Sequence, residues 1–96
     1  MSKMKRDNPQ YSYFHTKTRM EERYDYKGLT VSEYKNMCTC CSNGVKINTE
    51  VTTKGEQYTY QMIFNGMEII AVYQTWKQQI STVLPKIIFK KENSNV

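Results

Sequence analysis

Only one histidine, two prolines and four glycines occur among the 96 residues, and no apolar run is long. Each scarcity excludes something. The longest apolar stretch, Ile69-Ile70-Ala71-Val72-Tyr73, falls far short of the roughly 20 residues that cross a bilayer. No membrane partner is therefore expected. The basic start Met1-Ser2-Lys3-Met4-Lys5-Arg6 leads into Asp7-Asn8-Pro9, not into an apolar signal core. A cytoplasmic protein is the expectation. Three cysteines, Cys38, Cys40 and Cys41, are crowded together. An odd count at that spacing is no disulfide framework. With one distant histidine the set also falls short of the four ligands of a zinc site. Reduced thiols on a helix, and neither metal nor cofactor, are the reading.

What is present is charge of one sign and aromatic rings. The net charge is +5, with eight tyrosines. A basic surplus favours an anionic partner, nucleic acid foremost. The apolar and aromatic content suits a folded core, not a disordered chain. The length suits one domain, with a thin core because so short a chain buries only about 60–65% of its unfolded surface.

Residues 1–10 read as a flexible basic arm, 11–89 as a single domain and 90–96 as a polar tail. Tyr13 to Tyr24 lacks glycine and proline and stops near Lys27-Gly28, which predicts a first helix. Thr30-Val31-Ser32-Glu33 forms a capping box. Val31, Tyr34, Met37, Cys38 and Cys41 follow on one helical face, and Asn43-Gly44 offers a left-handed residue to end that helix.

From Val45 the period becomes two. Val45, Ile47, Thr49 and Val51 alternate with polar residues, and Lys54-Gly55 turns the chain. Tyr58, Tyr60, Met62 and Phe64 define a second strand. Asn65-Gly66 is a strong hairpin signal, because a type I′ turn needs positive φ at both central residues. Two-residue closure sets Phe64 against Met67, Met62 against Ile69, Tyr60 against Ala71 and Tyr58 against Tyr73, on the face that packs on the helices. The third strand is expected from Met67 to Trp76. If Lys77-Gln78 is also a two-residue turn, the fourth strand, Gln79 to Leu84, brings Thr82 opposite Tyr73 on that same face. Pro85 ends the pairing, and Ile87-Ile88-Phe89 is an apolar tail expected to cover a sheet edge or the helices. The fold class is α+β: two N-terminal helices packed on a curved four-stranded antiparallel meander.

His15, Arg19 and Arg23 stand four apart, so they stack along one face of the first helix. A histidine that titrates near neutrality, followed by two guanidiniums, suits phosphodiester chemistry: the imidazole moves a proton and the arginines grip phosphate oxygens. The same residues also suit a solvated, partly paired helix surface, with Glu22 three residues after Arg19. Trp76, on the sheet face expected to carry Gln57, Gln61, Gln74 and Glu68, is a candidate contact residue. Lys86, Lys90 and Lys91, with Lys3, Lys5 and Arg6, make both termini basic.

The order Phe14-His15-Thr16-Lys17-Thr18-Arg19-Met20-Glu21-Glu22-Arg23, then Gly28-Leu29-Thr30-Val31-Ser32-Glu33, then Ser81-Thr82-Val83-Leu84-Pro85, resembles the small toxin-like nuclease domains of the RelE, barnase, EndoU and colicin-like group. The loop Tyr24-Asp25-Tyr26-Lys27 and the Cys38-Thr39-Cys40-Cys41 run depart from that pattern. The resemblance implies an RNA-targeting domain that cleaves without metal, by attack of the 2′-hydroxyl on the adjacent phosphorus. In that scheme His15 moves the proton, Arg19 and Arg23 hold phosphate, and Thr82 positions it. It also implies a protein partner of the antitoxin kind. Two other readings stand beside it: a non-catalytic, phage- or mobile-element-encoded inhibitor of a host protein, and a basic nucleic-acid-binding module.

Overall fold

A computed structural model describes residues 9–85. The basic N-terminal arm, the apolar Ile87-Ile88-Phe89 and Lys86, Lys90 and Lys91 lie outside the described residues. Helix α1 runs Pro9–Tyr24 and α2 Val31–Cys40, followed by a short 3₁₀ turn Cys41–Asn43. Strands β1 (Val45–Thr52), β2 (Gly55–Phe64), β3 (Met67–Gln74) and β4 (Gln79–Leu84) form one antiparallel sheet in the order β1-β2-β3-β4. The α+β meander is as expected.

α1 starts four residues before the Tyr13 read from the sequence, because proline's fixed φ fits a first helical turn. It ends at Tyr24. Asp25 is left-handed (φ 56°), and the chain turns back so that the Tyr26 N–H reaches the Met20 carbonyl at 3.1 Å. The α2 capping box is complete: the Glu33 N–H donates to the Thr30 hydroxyl at 3.1 Å, and the Thr30 N–H donates to the Glu33 carboxylate at 2.9 Å.

The end of α2 differs from the sequence reading. Gly44 has φ −83°, so it is no left-handed cap. Its glycine is needed for space: a Cβ would sit 2.3 Å from the Gln61 carbonyl oxygen of β2. Of the expected apolar face, Tyr34, Met37 and Cys41 are buried, while Val31 faces solvent beyond the cap.

The β2–β3 hairpin has the expected register, from Phe64 against Met67 to Tyr58 against Tyr73, with Asn65 and Gly66 both at positive φ. Beneath it Tyr60, Met62, Phe64, Ile69 and Ala71 join Met20, Leu29, Met37, Ile80 and Val83 in one core. β1 pairs with β2 through an irregularity at Lys46–Asn48, and Ile47 is the extra residue there.

The β3–β4 connection is where the expected register fails. β3 stops at Gln74, and Thr75 to Gln78 make a four-residue loop closed by Gln78 at φ 54°. Lys77-Gln78 lacks the residues that populate a two-residue hairpin turn. The longer loop puts Tyr73 against Ile80, and a further irregularity puts Val72 against Thr82. Thr82 therefore lies on the sheet face opposite Tyr73, alongside Val72. Trp76 belongs to the loop, half-buried, its ring close to Gly55. On the face away from the core a line of amides ties three strands: Gln74 donates to Gln57 (3.1 Å), Gln57 to Glu50 (3.2 Å), and Gln61 bonds Glu68.

Candidate nucleic-acid interface

α1 lies along β4 and runs in the same direction. Near its start Tyr13 packs on Tyr34, whose hydroxyl bonds the Ile80 carbonyl. At its end Arg23 and Tyr24 reach Val83 and Leu84. Ser12, Tyr13, Thr16 and Met20 are buried against the sheet. Helical spacing then rotates Tyr11, His15, Arg19 and Arg23 progressively from solvent toward the rim of β4.

His15 is half-buried and its ring is stacked against Tyr11, with centroids 6.4 Å apart and planes 10° from parallel. Tyr11 itself is 65% exposed and Phe14 55%, so two aromatic faces border the stripe. Desolvation by burial holds the His15 pKa below its ordinary 6.5. The Arg19 and then the Arg23 guanidinium push the same way, against a smaller opposing pull from Glu22. Both arginines thus act on one imidazole and favour its neutral form.

The two arginines are not equally available. Nη1 of Arg23 donates to the Val83 carbonyl at 2.7 Å, which anchors it to the edge of β4. Nη1 of Arg19 is paired with Glu22 at 2.7 Å, in an exposed bridge between successive turns. Such a bridge is worth about 0.2–1 kcal/mol, little enough for a phosphate to displace. Arg23 is the more exposed of the two and keeps its other N–H groups, so both guanidiniums can meet an anion, Arg19 on displacing Glu22.

Thr82, expected beside this stripe as a phosphate-positioning group, lacks the partner expected on β3, yet it lies beside the Arg23 end of the stripe, since both side chains reach the Val83 carbonyl. Its hydroxyl points to the Val83 carbonyl at 3.5 Å, and Tyr73 is not opposite it. Among the described residues no group of three or more histidine, cysteine or acidic side chains is arranged to hold a metal. No family model, curated protein or solved structure matches this chain.

The cysteines form a different kind of place. Cys38 accepts the Ile80 N–H at 3.3 Å and Cys41 is buried. Burial raises both thiol pKa values, that of Cys41 to about 11, with Cys38 adding to the rise. These are protonated packing residues. Sequence spacing did not show that Cys38 is an acceptor for a strand edge, because that depends on where β4 lies.

Proposed function

We propose that this protein is an RNA-targeting domain that holds a single strand along α1. Arg19 and Arg23 meet the phosphates, and Tyr11 and Phe14 offer faces on which bases stack. The observation that carries this reading is the Tyr11–His15 stack on a stripe where both guanidiniums act on one imidazole. Single-stranded nucleic acid is held in just this way, by cations that track the backbone and rings that stack on bases. The +5 charge of the whole chain adds a general attraction.

The lowered pKa of His15 favours the neutral form that a general base needs. Metal-independent cleavage needs a second group to return the proton, and a threonine hydroxyl such as that of Thr82 does not titrate near neutral pH, so binding is favoured over cleavage. Fluorescence anisotropy with a labelled single-stranded RNA over a salt series tests this. Affinity should fall as salt rises, with a log–log slope of roughly −0.7 per phosphate contacted. Arg19→Gln should reduce that slope, and Tyr11→Ala should weaken binding without changing it. Equal binding by wild type and both variants would remove α1 from the interface. Incubation with total RNA in EDTA, beside His15→Ala, tests the cleaving form.

A second reading, a non-catalytic inhibitor that binds a host protein, has support of its own. A cleft of about 490 Å³ is lined by Gly44, Val45, Met62 and Ile63 among others, and Val45 and Ile63 are exposed.

A further inference from the structure

The sheet has two outer strands, and the described residues cover them unequally. On β4 three outward backbone groups are taken: Arg23 donates to the Val83 carbonyl (2.7 Å), Tyr34 donates to the Ile80 carbonyl (2.6 Å), and the Ile80 N–H donates to Cys38 (3.3 Å). On β1 the same accounting comes out differently. The Thr75 N–H donates to the Glu56 carbonyl at 3.2 Å, so the backbone groups of Glu56 point away from β1. Val51, opposite Glu56, is then in a non-hydrogen-bonded pair, as is Thr49 opposite Tyr58 two residues on. Their own N–H and C=O groups point outward. No described residue bonds them, and the Val51 side chain is 77% exposed.

We propose that β1 pairs edge to edge, antiparallel, with β1 of a second copy of this chain, about a two-fold axis at Thr49. The strand is self-complementary in that register. Thr49 meets Thr49 of the second copy and Asn48 meets Glu50, an amide against a carboxylate, and the ladder ends with Val51 beside Ile47, the residue at which the irregularity begins. Neighbouring registers are worse. A shift that puts Glu50 on the axis sets two carboxylates opposite each other. One that puts Asn48 there carries the pairing across the irregularity at Lys46–Asn48. Shifts by one residue set outward groups of one strand against inward groups of the other. With helix and side chains along β4, the described residues leave one open edge per copy, so pairing closes at a dimer with one continuous eight-stranded sheet.

A five-residue ladder is short, so the dimer is expected at the weak end of specific interfaces. Sedimentation equilibrium of the full chain over a wide concentration range tests this, with two variants. Thr49→Pro removes an N–H that β2 does not use, and Val51→Lys puts a charge opposite Ile47. Wild type should shift from 11.4 kDa toward twice that mass. Each variant, shown folded by circular dichroism, should bind its copy about tenfold or more less tightly. If Thr49→Pro disturbs the fold, Val51→Lys decides alone, because it changes only an exposed side chain. A monomer at every concentration overturns the proposal. So does a dimer that both variants leave intact, which would place the interface elsewhere.

Discussion

The two edge strands of this sheet have similar lengths and opposite fates. β4 contributes Ile80 and Val83 to the core, and its rim is sealed by Arg23, Tyr34 and Cys38. β1 is exposed along most of its length, and its polar side chains work sideways: Glu50 accepts from Gln57, and the Lys46 ammonium lies over the Tyr58 ring at 3.8 Å. The difference follows from chain order. Both helices precede the sheet and pack at its β4 end, so the last strand is wrapped and the first is left outside. The buried side chains gather on the β4 side, and among the described residues nothing bonds the outward groups of Thr49 and Val51 on the opposite edge.

Cavity formation should separate the two edges most. Ile80→Ala removes a fully buried side chain and should cost about 2–5 kcal/mol. Val51→Ala, at an exposed position, should stay within about 0.5 kcal/mol. Urea unfolding of both variants measures the contrast, and similar losses would mean that β1 is as structural as β4. Next in size is Tyr34→Phe. It keeps the ring and deletes the donor to the Ile80 carbonyl, leaving a buried acceptor unpaired at a cost of about 1–3 kcal/mol. If that variant matches wild type in the same unfolding experiment, water already serves the rim of β4.

The sealed side also has a weak point. Thr16 is fully buried, and among the described residues its hydroxyl has no partner, whereas the Thr18 hydroxyl bonds the Phe14 carbonyl at 3.0 Å. Thr16→Val keeps the shape and removes the unsatisfied group, so it should stabilise by about 1 kcal/mol in thermal melts. A loss instead would reveal a buried water at that hydroxyl.

Much of this was legible in the sequence where local chemistry decides. The capping box fixed the start of α2, and Asn65-Gly66 fixed the register of β2 against β3, because each uses residues whose side chain or φ leaves few choices. Lys77-Gln78 has no such preference, so the loop to β4 took a different length and Thr82 moved to the other face. The stripe of His15, Arg19 and Arg23 was legible from helical spacing alone. That Arg23 is anchored to Val83, and that Cys38 receives the Ile80 N–H, depends on contacts some 40 to 60 residues apart in the chain, which no local pattern encodes.

The smallest expected effect lies on α1, at the border between the sealed rim and solvent. The folded pKa of His15 is below its ordinary 6.5, so near that pH the folded chain binds fewer protons than the unfolded one. Stability tied to the neutral imidazole is then complete above pH 6.5. It declines as pH falls through 6.5 toward the lowered folded value, and below that no more is lost from this group. Arg19→Gln removes the larger of the two guanidinium contributions and should move the His15 titration upward, toward 6.5, in an NMR series. Desolvation is the leading cause of the shift, so part of the depression should survive that substitution. Added salt should also raise the pKa, but only by as much as the exposed guanidiniums contribute. A titration that ignores both Arg19→Gln and salt would show that burial alone sets the imidazole, and α1 would then lack the shared electropositive field on which RNA binding was proposed.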